Sequence, residues 1–145
     1  MLELLAAEGK RDGKDYTSDL IHSQVLPSYE DESLPGVRFY RKIMANYTGL
    51  PATTEKGYTP RRFSYVSFEG FLNGVMLGEM VKRMADDPKP ERIPEIMSSF
   101  RDFDLGIDVS VTFDPVSHQG LDAVYFTTVK DGRSQPLNDW ERWRK

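Results

Sequence analysis

Apolar positions along the 145 residues change their spacing several times, and each change predicts an element. Residues 2–8, Leu-Glu-Leu-Leu-Ala-Ala-Glu, are strong helix formers that meet Gly9 and a polar stretch through Asp15, so a helix stopping at Gly9 is expected. Leu20 to Leu26 is a β-prone run halted by Pro27, which predicts a strand leading into a turn over residues 27–31. After Ser33 and Pro35, the positions Val37, Tyr40, Met44 and Tyr47 recur three and four apart, predicting an amphipathic helix capped by Ser33. Thr48 to Arg62 has no periodicity and reads as a loop or insertion, long for a connection inside a compact domain.

From Ser64 the helical pattern returns, with Phe68, Phe71, Leu72, Val75, Met76 and Met80 on a wide apolar face. Asp86 to Pro90 ends that helix and opens a short one over Ile93–Phe100, with Pro94 tolerated in its first turn. The period then drops to two: Ile107, Val109, Val111 and Phe113 alternate with Asp108, Ser110 and Thr112, as in a strand with one wet face. Ala123 to Lys130 predicts a further strand, which Asp131-Gly132 turns into a short partner around Ser134–Leu137. No internal repeat is visible, and the length suits one domain. The expected class is α/β, with about four helices, a strand and a C-terminal β-hairpin.

One feature of the long helix calls for a physical reason. Gly70, Gly74 and Gly78 lie four residues apart on one side of it, and an interior glycine costs about 1 kcal/mol relative to alanine. The compensating gain is close backbone approach, so these three positions are read as a packing or interface stripe.

Composition narrows the chemistry. With 39% apolar residues the chain has enough material for a core, and with no cysteine it has no disulfide, thiolate metal cluster or cysteine nucleophile. A net charge of -4, from 19 basic and 23 acidic side chains, argues against bulk binding to nucleic acid. The most continuous apolar stretch, Phe63 to Val81, contains Glu69, Asn73 and Glu79, so no transmembrane segment is expected. No signal peptide is recognisable, because Glu3 and Glu8 interrupt the only early apolar run; the chain is expected to be cytoplasmic, already processed or part of something longer.

Candidate catalytic groups are sparse. Asp114, His118 and Asp122 are spaced by four, and a metal site can be drawn from them, as can a triad from Ser117, His118 and Asp122. Local turn hydrogen bonding is the preferred reading of both sets, since neighbours on an extended segment point apart and no nucleophile elbow is present. No metal and no catalytic residue is therefore assigned. Glycine spacing matches neither a phosphate loop nor a dinucleotide fingerprint, so no cofactor is expected. The basic and aromatic tail from Trp140 to Lys145 is read as a frayed end or linker. Tyr29, Tyr65, Phe68 and Glu69 sit at strand and helix ends, where α/β folds build ligand crevices; taken alone they equally suit core and rim.

Several segments occur in a familiar order: Val25-Leu26-Pro27-Ser28-Tyr29-Glu30-Asp31, Ser33-Leu34-Pro35, Arg38-Phe39-Tyr40, Ser64-Tyr65-Val66-Ser67-Phe68-Glu69-Gly70-Phe71, and Val111 to Tyr125 with its His-Gln-Gly-Leu-Asp-Ala-Val-Tyr ending. Together they resemble the C-terminal part of the type I periplasmic binding proteins of the branched-chain amino acid receptor family. The resemblance implies a non-enzymatic, partial solute-binding fold from an ABC-type amino acid transport or sensory system, exported to the periplasm. It implies a second-lobe remnant and crossover over residues 1–31, first-lobe helices over 32–105, a returning hairpin over 106–137 and a tail over 138–145. Tyr29, Tyr65, Phe68 and Glu69 would then lie near the hinge or cleft, with His118, Gln119 and Asp122 as loop candidates. A small amino-acid-like ligand is expected only where the missing lobe is supplied, because most of the family's ligand-gripping residues lie there. A truncated fold leaves open edges, so the expected partners are further copies in a homo-oligomer, or a partner protein, at Gly70, Gly74 and Gly78. The alternative function is a structural or interaction subunit that uses the half-fold as an oligomeric docking surface and binds no small ligand.

Overall fold

The computed structural model describes residues 2–18, 20–49, 61–116, 118–130, 132–141 and 144. In chain order these form α1 (Leu2–Asp12), β1 (Ile21–Gln24), α2 (Pro35–Asn46), α3 (Tyr65–Arg83), a 3-10 turn (Pro90–Arg92), α4 (Ile93–Ser98), β2 (Phe103–Asp104), β3 (Ser110–Val111), β4 (Tyr125–Lys130) and β5 (Arg133–Pro136). Most of the expected long loop, residues 50–60, lies outside the described residues. The chain divides into two compact units, one of residues 1–31 with 123–145 and one of residues 32–122.

In the first unit, β1, β4 and β5 form an antiparallel sheet in the order β1-β4-β5, which joins the two ends of the sequence in one ladder. Gly132, at φ +73°, lets β4 turn back into β5, as the Asp-Gly pair predicts. His22 and Thr127 are direct partners across β1 and β4, and Nε2 of one and Oγ1 of the other are buried without a hydrogen-bond partner. The tail is anchored at its start, since Trp140 packs edge-on against Phe126 at 5.2 Å and Leu137 donates its amide to the Phe126 carbonyl. Helix α1 runs past Gly9 and ends at Asp12, where Gly13 takes φ +65°. Gly9 serves close approach instead: the chain folds back so that Lys14 donates to the Gly9 carbonyl at 2.9 Å, and a Cβ on Gly9 would overlap the Lys14 carbonyl. Beyond it, the amide and hydroxyl of Thr17 and the amide of Ser18 donate to Asp15, which holds that carboxyl down to about 2.

The second unit is built on Tyr40. Val37, Tyr40, Phe68, Phe100 and Ile107 have no exposed surface, and the Tyr40 ring lies tilted against Phe68 at 4.9 Å and Phe71 at 5.5 Å and edge-on to Phe63 at 5.9 Å. Helix α3 begins as expected at Ser64, which with Ser67 forms a reciprocal capping box. At α2 the expected Ser33 cap is corrected. Pro35 occupies the first helical position, Leu34 stands at the N-cap with no side-chain bond, and the Gly36 amide is satisfied by the Gly106 carbonyl at 2.8 Å. Arg83 ties α3 to α4: its Nε donates to Glu79 at 3.0 Å, its Nη1 donates to the Ser99 carbonyl at 3.0 Å, and its guanidinium lies 4.0 Å over the Phe100 ring. The Arg83 hydrogen bond, with Lys82 adding to it, holds the Glu79 carboxyl below its usual range.

The strand expected over Ile107–Phe113 is corrected to the two residues of β3, which pair with β2. Left-handed backbone at Gly106, φ +72°, and at Asp108, φ +68°, breaks the extended run. Ile107 and Val111 are nevertheless buried and Val109 and Phe113 half-buried, against exposed Asp108 and Ser110, so the alternation is real in burial although only Val111 of these four apolar residues sits in a ladder.

Candidate functional site

Three of the four crevice candidates share the first turns of α3, because residues 65, 68 and 69 fall within one arc of a helix. The capping box fixes that helix start, and Tyr40 fixes it from below through a hydrogen bond between its hydroxyl and Ser67 Oγ. Phe68 points inward and is fully buried on Tyr40, Tyr65 is half-buried, and Glu69 is exposed. Tyr29 belongs to the first unit, half-buried in a turn closed by the Asp31 amide donating to the Ser28 carbonyl at 3.0 Å. The arrangement on α3 therefore offers an aromatic edge and a carboxylate beside an aromatic core, which suits contact with an apolar or cationic group.

The loop candidates form a second, separate place in the second unit. His118 is exposed and lines an open groove of about 440 Å³ with Pro94, Met97, Ser98, Phe113, Asp114 and Pro115. Asp114 accepts the Val116 amide at 2.7 Å and Gln119 donates to the Leu121 carbonyl at 2.8 Å, so both side chains make local turn bonds. Asp122 is exposed, and Ser117 lies outside the described residues. Among the described residues no group of three or more metal-ligating side chains is close enough to hold an ion.

Glycines in this unit take roles that spacing alone did not reveal. Gly120, inside the His-Gln-Gly segment, packs so closely that a Cβ would stand 2.8 Å from Val111 Cγ1 and 2.9 Å from a Phe113 ring carbon. Gly36 and Gly106 are pressed backbone to backbone. Gly70, Gly74 and Gly78, the positions singled out by spacing, are exposed, and a Cβ on any of them would meet nothing within 4 Å. The close neighbour expected along that stripe is thus not found among the described residues.

Four α-helices and five strands, the last two of which form a C-terminal antiparallel pair within the three-stranded sheet, make a partial periplasmic-binding fold of the α/β class. The comparison that carries this assignment is with a solved structure described as a possible leucine/isoleucine/valine-binding protein from Rhodopirellula baltica SH 1: 26% identity and a TM-score of 0.62 over 94% of this chain. The chain spans 34% of the length of that protein. No protein-family model and no curated protein matches the chain. No helix is long and apolar enough to cross a membrane among the described residues.

Proposed function

We propose that this chain is the C-terminal share of a non-enzymatic solute-binding protein, a truncated or split form whose intact counterpart holds a small amino-acid-like molecule for an ABC-type uptake or sensory system. The observation that carries the reading is the likeness, over 94% of the chain, to a protein described as a possible leucine/isoleucine/valine-binding protein. In this reading residues 1–31 are a second-lobe remnant and crossover, residues 32–105 are first-lobe helices, and residues 106–137 return toward the second lobe ahead of a tail. The break between units at residues 31 and 32 supports the first of these boundaries. Tyr29, Tyr65, Phe68 and Glu69 lie near the hinge or cleft, with Glu69 as the carboxylate available to a ligand ammonium, and His118, Gln119 and Asp122 are loop contacts. The protein works in the periplasm.

Because the chain spans a third of the solved protein, ligand binding requires the remainder. The test is thermal unfolding with leucine, isoleucine or valine at millimolar concentration. The 145-residue chain alone is expected to show no shift. Mixed with a polypeptide comprising the part of the Rhodopirellula protein outside the match, it is expected to gain several degrees, since ligand at a hundredfold excess over Kd stabilises by about 2.7 kcal/mol. A one-to-one complex that ignores all three amino acids contradicts the solute-binding reading.

A second reading, a structural or interaction subunit that forms a homo-oligomer through its half-fold, is favoured by one observation: the exposure of the outer face of α3.

A further inference from the structure

Side chains alternate along β4, and this sorts the sheet of the first unit into two unlike faces. Thr127 and Val129 point to one face and are buried, at 1% and 8% exposure. Phe126, Thr128 and Lys130 point to the other, which the register extends to Ile21, opposite Thr128 on β1, and to Arg133, opposite Lys130 on β5. Trp140 joins this outer face through its edge-on contact with Phe126. Ile21, Phe126 and Trp140 keep 39%, 41% and 40% of their surface exposed. The side of the sheet turned away from buried Thr127 and Val129 is thus apolar and aromatic at its centre.

Its charge is equally one-sided. Lys130 and Arg133 stand directly opposite each other across the β4–β5 ladder, an arrangement that repels, and neither has an acidic partner among the described residues. Strands β1, β4 and β5 contain no Asp or Glu at all. In a chain of net charge -4 this is a local reversal of sign. The sequence continues the same composition after Trp140, as Glu-Arg-Trp-Arg-Lys.

Exposed aromatic and aliphatic side chains bordered by cations suit an apolar boundary covered with anions. A bilayer of anionic lipids presents that boundary: indole rings settle at headgroup level, and Lys and Arg reach the lipid phosphates. A nucleic acid offers the anions without an apolar layer for Ile21 and Phe126, and the net charge of the chain opposes it. We infer that the outer face of the β1-β4-β5 sheet rests on the surface of an anionic membrane, with Phe126 and Trp140 at the headgroup boundary and Lys130 and Arg133 on lipid phosphates. The association is peripheral and does not depend on the solute-binding reading.

The chain has two tryptophans, so Trp143→Phe leaves Trp140 as the sole indole and a direct probe of this face. Mixed at low salt with vesicles of phosphatidylglycerol and phosphatidylcholine, this variant is expected to shift its emission to the blue and to be quenched by brominated lipid. Pure phosphatidylcholine vesicles are expected to do neither, and high salt to release the chain. In the same background, Lys130→Ser with Arg133→Ser is expected to weaken binding about 25-fold, at roughly fivefold for each cation near an anionic surface. The urea midpoint of that variant is expected not to fall, because the two cations repel in the free chain. Lys42→Ser with Arg101→Ser removes the same charge from exposed positions of the second unit and is expected to leave binding unchanged. Failure to bind the anionic vesicles overturns the inference, as does equal binding to neutral ones or equal weakening by the two double changes. Capture of the chain by polyglutamate or single-stranded DNA, with no blue shift on vesicles, also overturns it and gives the face to a different polyanion.

Discussion

Replacing Gly106 by alanine is expected to destabilise the chain by about 3–5 kcal/mol, and replacing Gly74 by alanine to stabilise it by about 1 kcal/mol. At Gly106 two costs combine. Its φ of +72° is left-handed, which costs an L-residue about 1–2 kcal/mol. A Cβ there would also stand 2.6 Å from the Gly36 nitrogen and 3.1 Å from its Cα, where backbone has no room to move aside. Relief of that overlap separates the Gly36 amide from the Gly106 carbonyl, now 2.8 Å apart, and leaves the start of α2 without its backbone acceptor. Gly74 has neither constraint, so alanine there recovers helix propensity in open space. Urea unfolding of the two variants beside the parent chain measures both effects; equal effects at the two sites would contradict this packing.

Truncation of Tyr40 to alanine is expected to remove about 3–5 kcal/mol, a large share of the stability of a domain of this size. The ring is fully buried and touches Phe63, Phe68 and Phe71, so its loss leaves a cavity at the point where α2 meets α3. Its hydroxyl adds a smaller contribution by accepting the Ser64 amide at 3.2 Å and sharing a hydrogen bond with Ser67 Oγ. Tyr40→Phe is therefore expected to cost about 1–2 kcal/mol, and the part of that cost due to Ser67 should vanish when Ser67 is already alanine, while the part due to the Ser64 amide remains. A double-mutant cycle by thermal or urea unfolding checks both figures, and strict additivity of the two changes would show that the hydroxyl acts elsewhere.

These two sites also mark what the sequence could and could not convey. Helices α2 and α3 were legible because Val37, Tyr40, Phe68 and Leu72 recur at the helical period, and that same period identified Tyr40 and Phe68 as inward-facing. The β4–β5 hairpin was legible from Asp131-Gly132. The alternation from Ile107 to Phe113 misled, because left-handed backbone at Gly106 and Asp108 leaves Ile107 buried outside a ladder and confines the pairing to Ser110 and Val111. Glycine roles were illegible for a related reason. Gly36, Gly106 and Gly120 matter through contacts with distant or folded-back chain, which no local pattern encodes, whereas the regular spacing of Gly70, Gly74 and Gly78 is visible in sequence although no neighbour stands beside them among the described residues. At the candidate site, local reading placed Tyr65, Phe68 and Glu69 on one helix start. That Phe68 spends its surface on Tyr40, and that Gln119 is engaged by a turn, depend on tertiary contacts.

The most direct test of the account is the solution mass of the 145-residue chain, measured by light scattering on a sizing column over a hundredfold dilution, with and without the complementary polypeptide of the Rhodopirellula protein. As one component of a solute-binding fold, the chain is expected to run alone near 16.6 kDa at every concentration and to shift to a one-to-one complex when the complementary polypeptide is added. A stable dimer that dilution does not dissociate and the added polypeptide does not replace would contradict that account and establish self-association as the use of this half-fold.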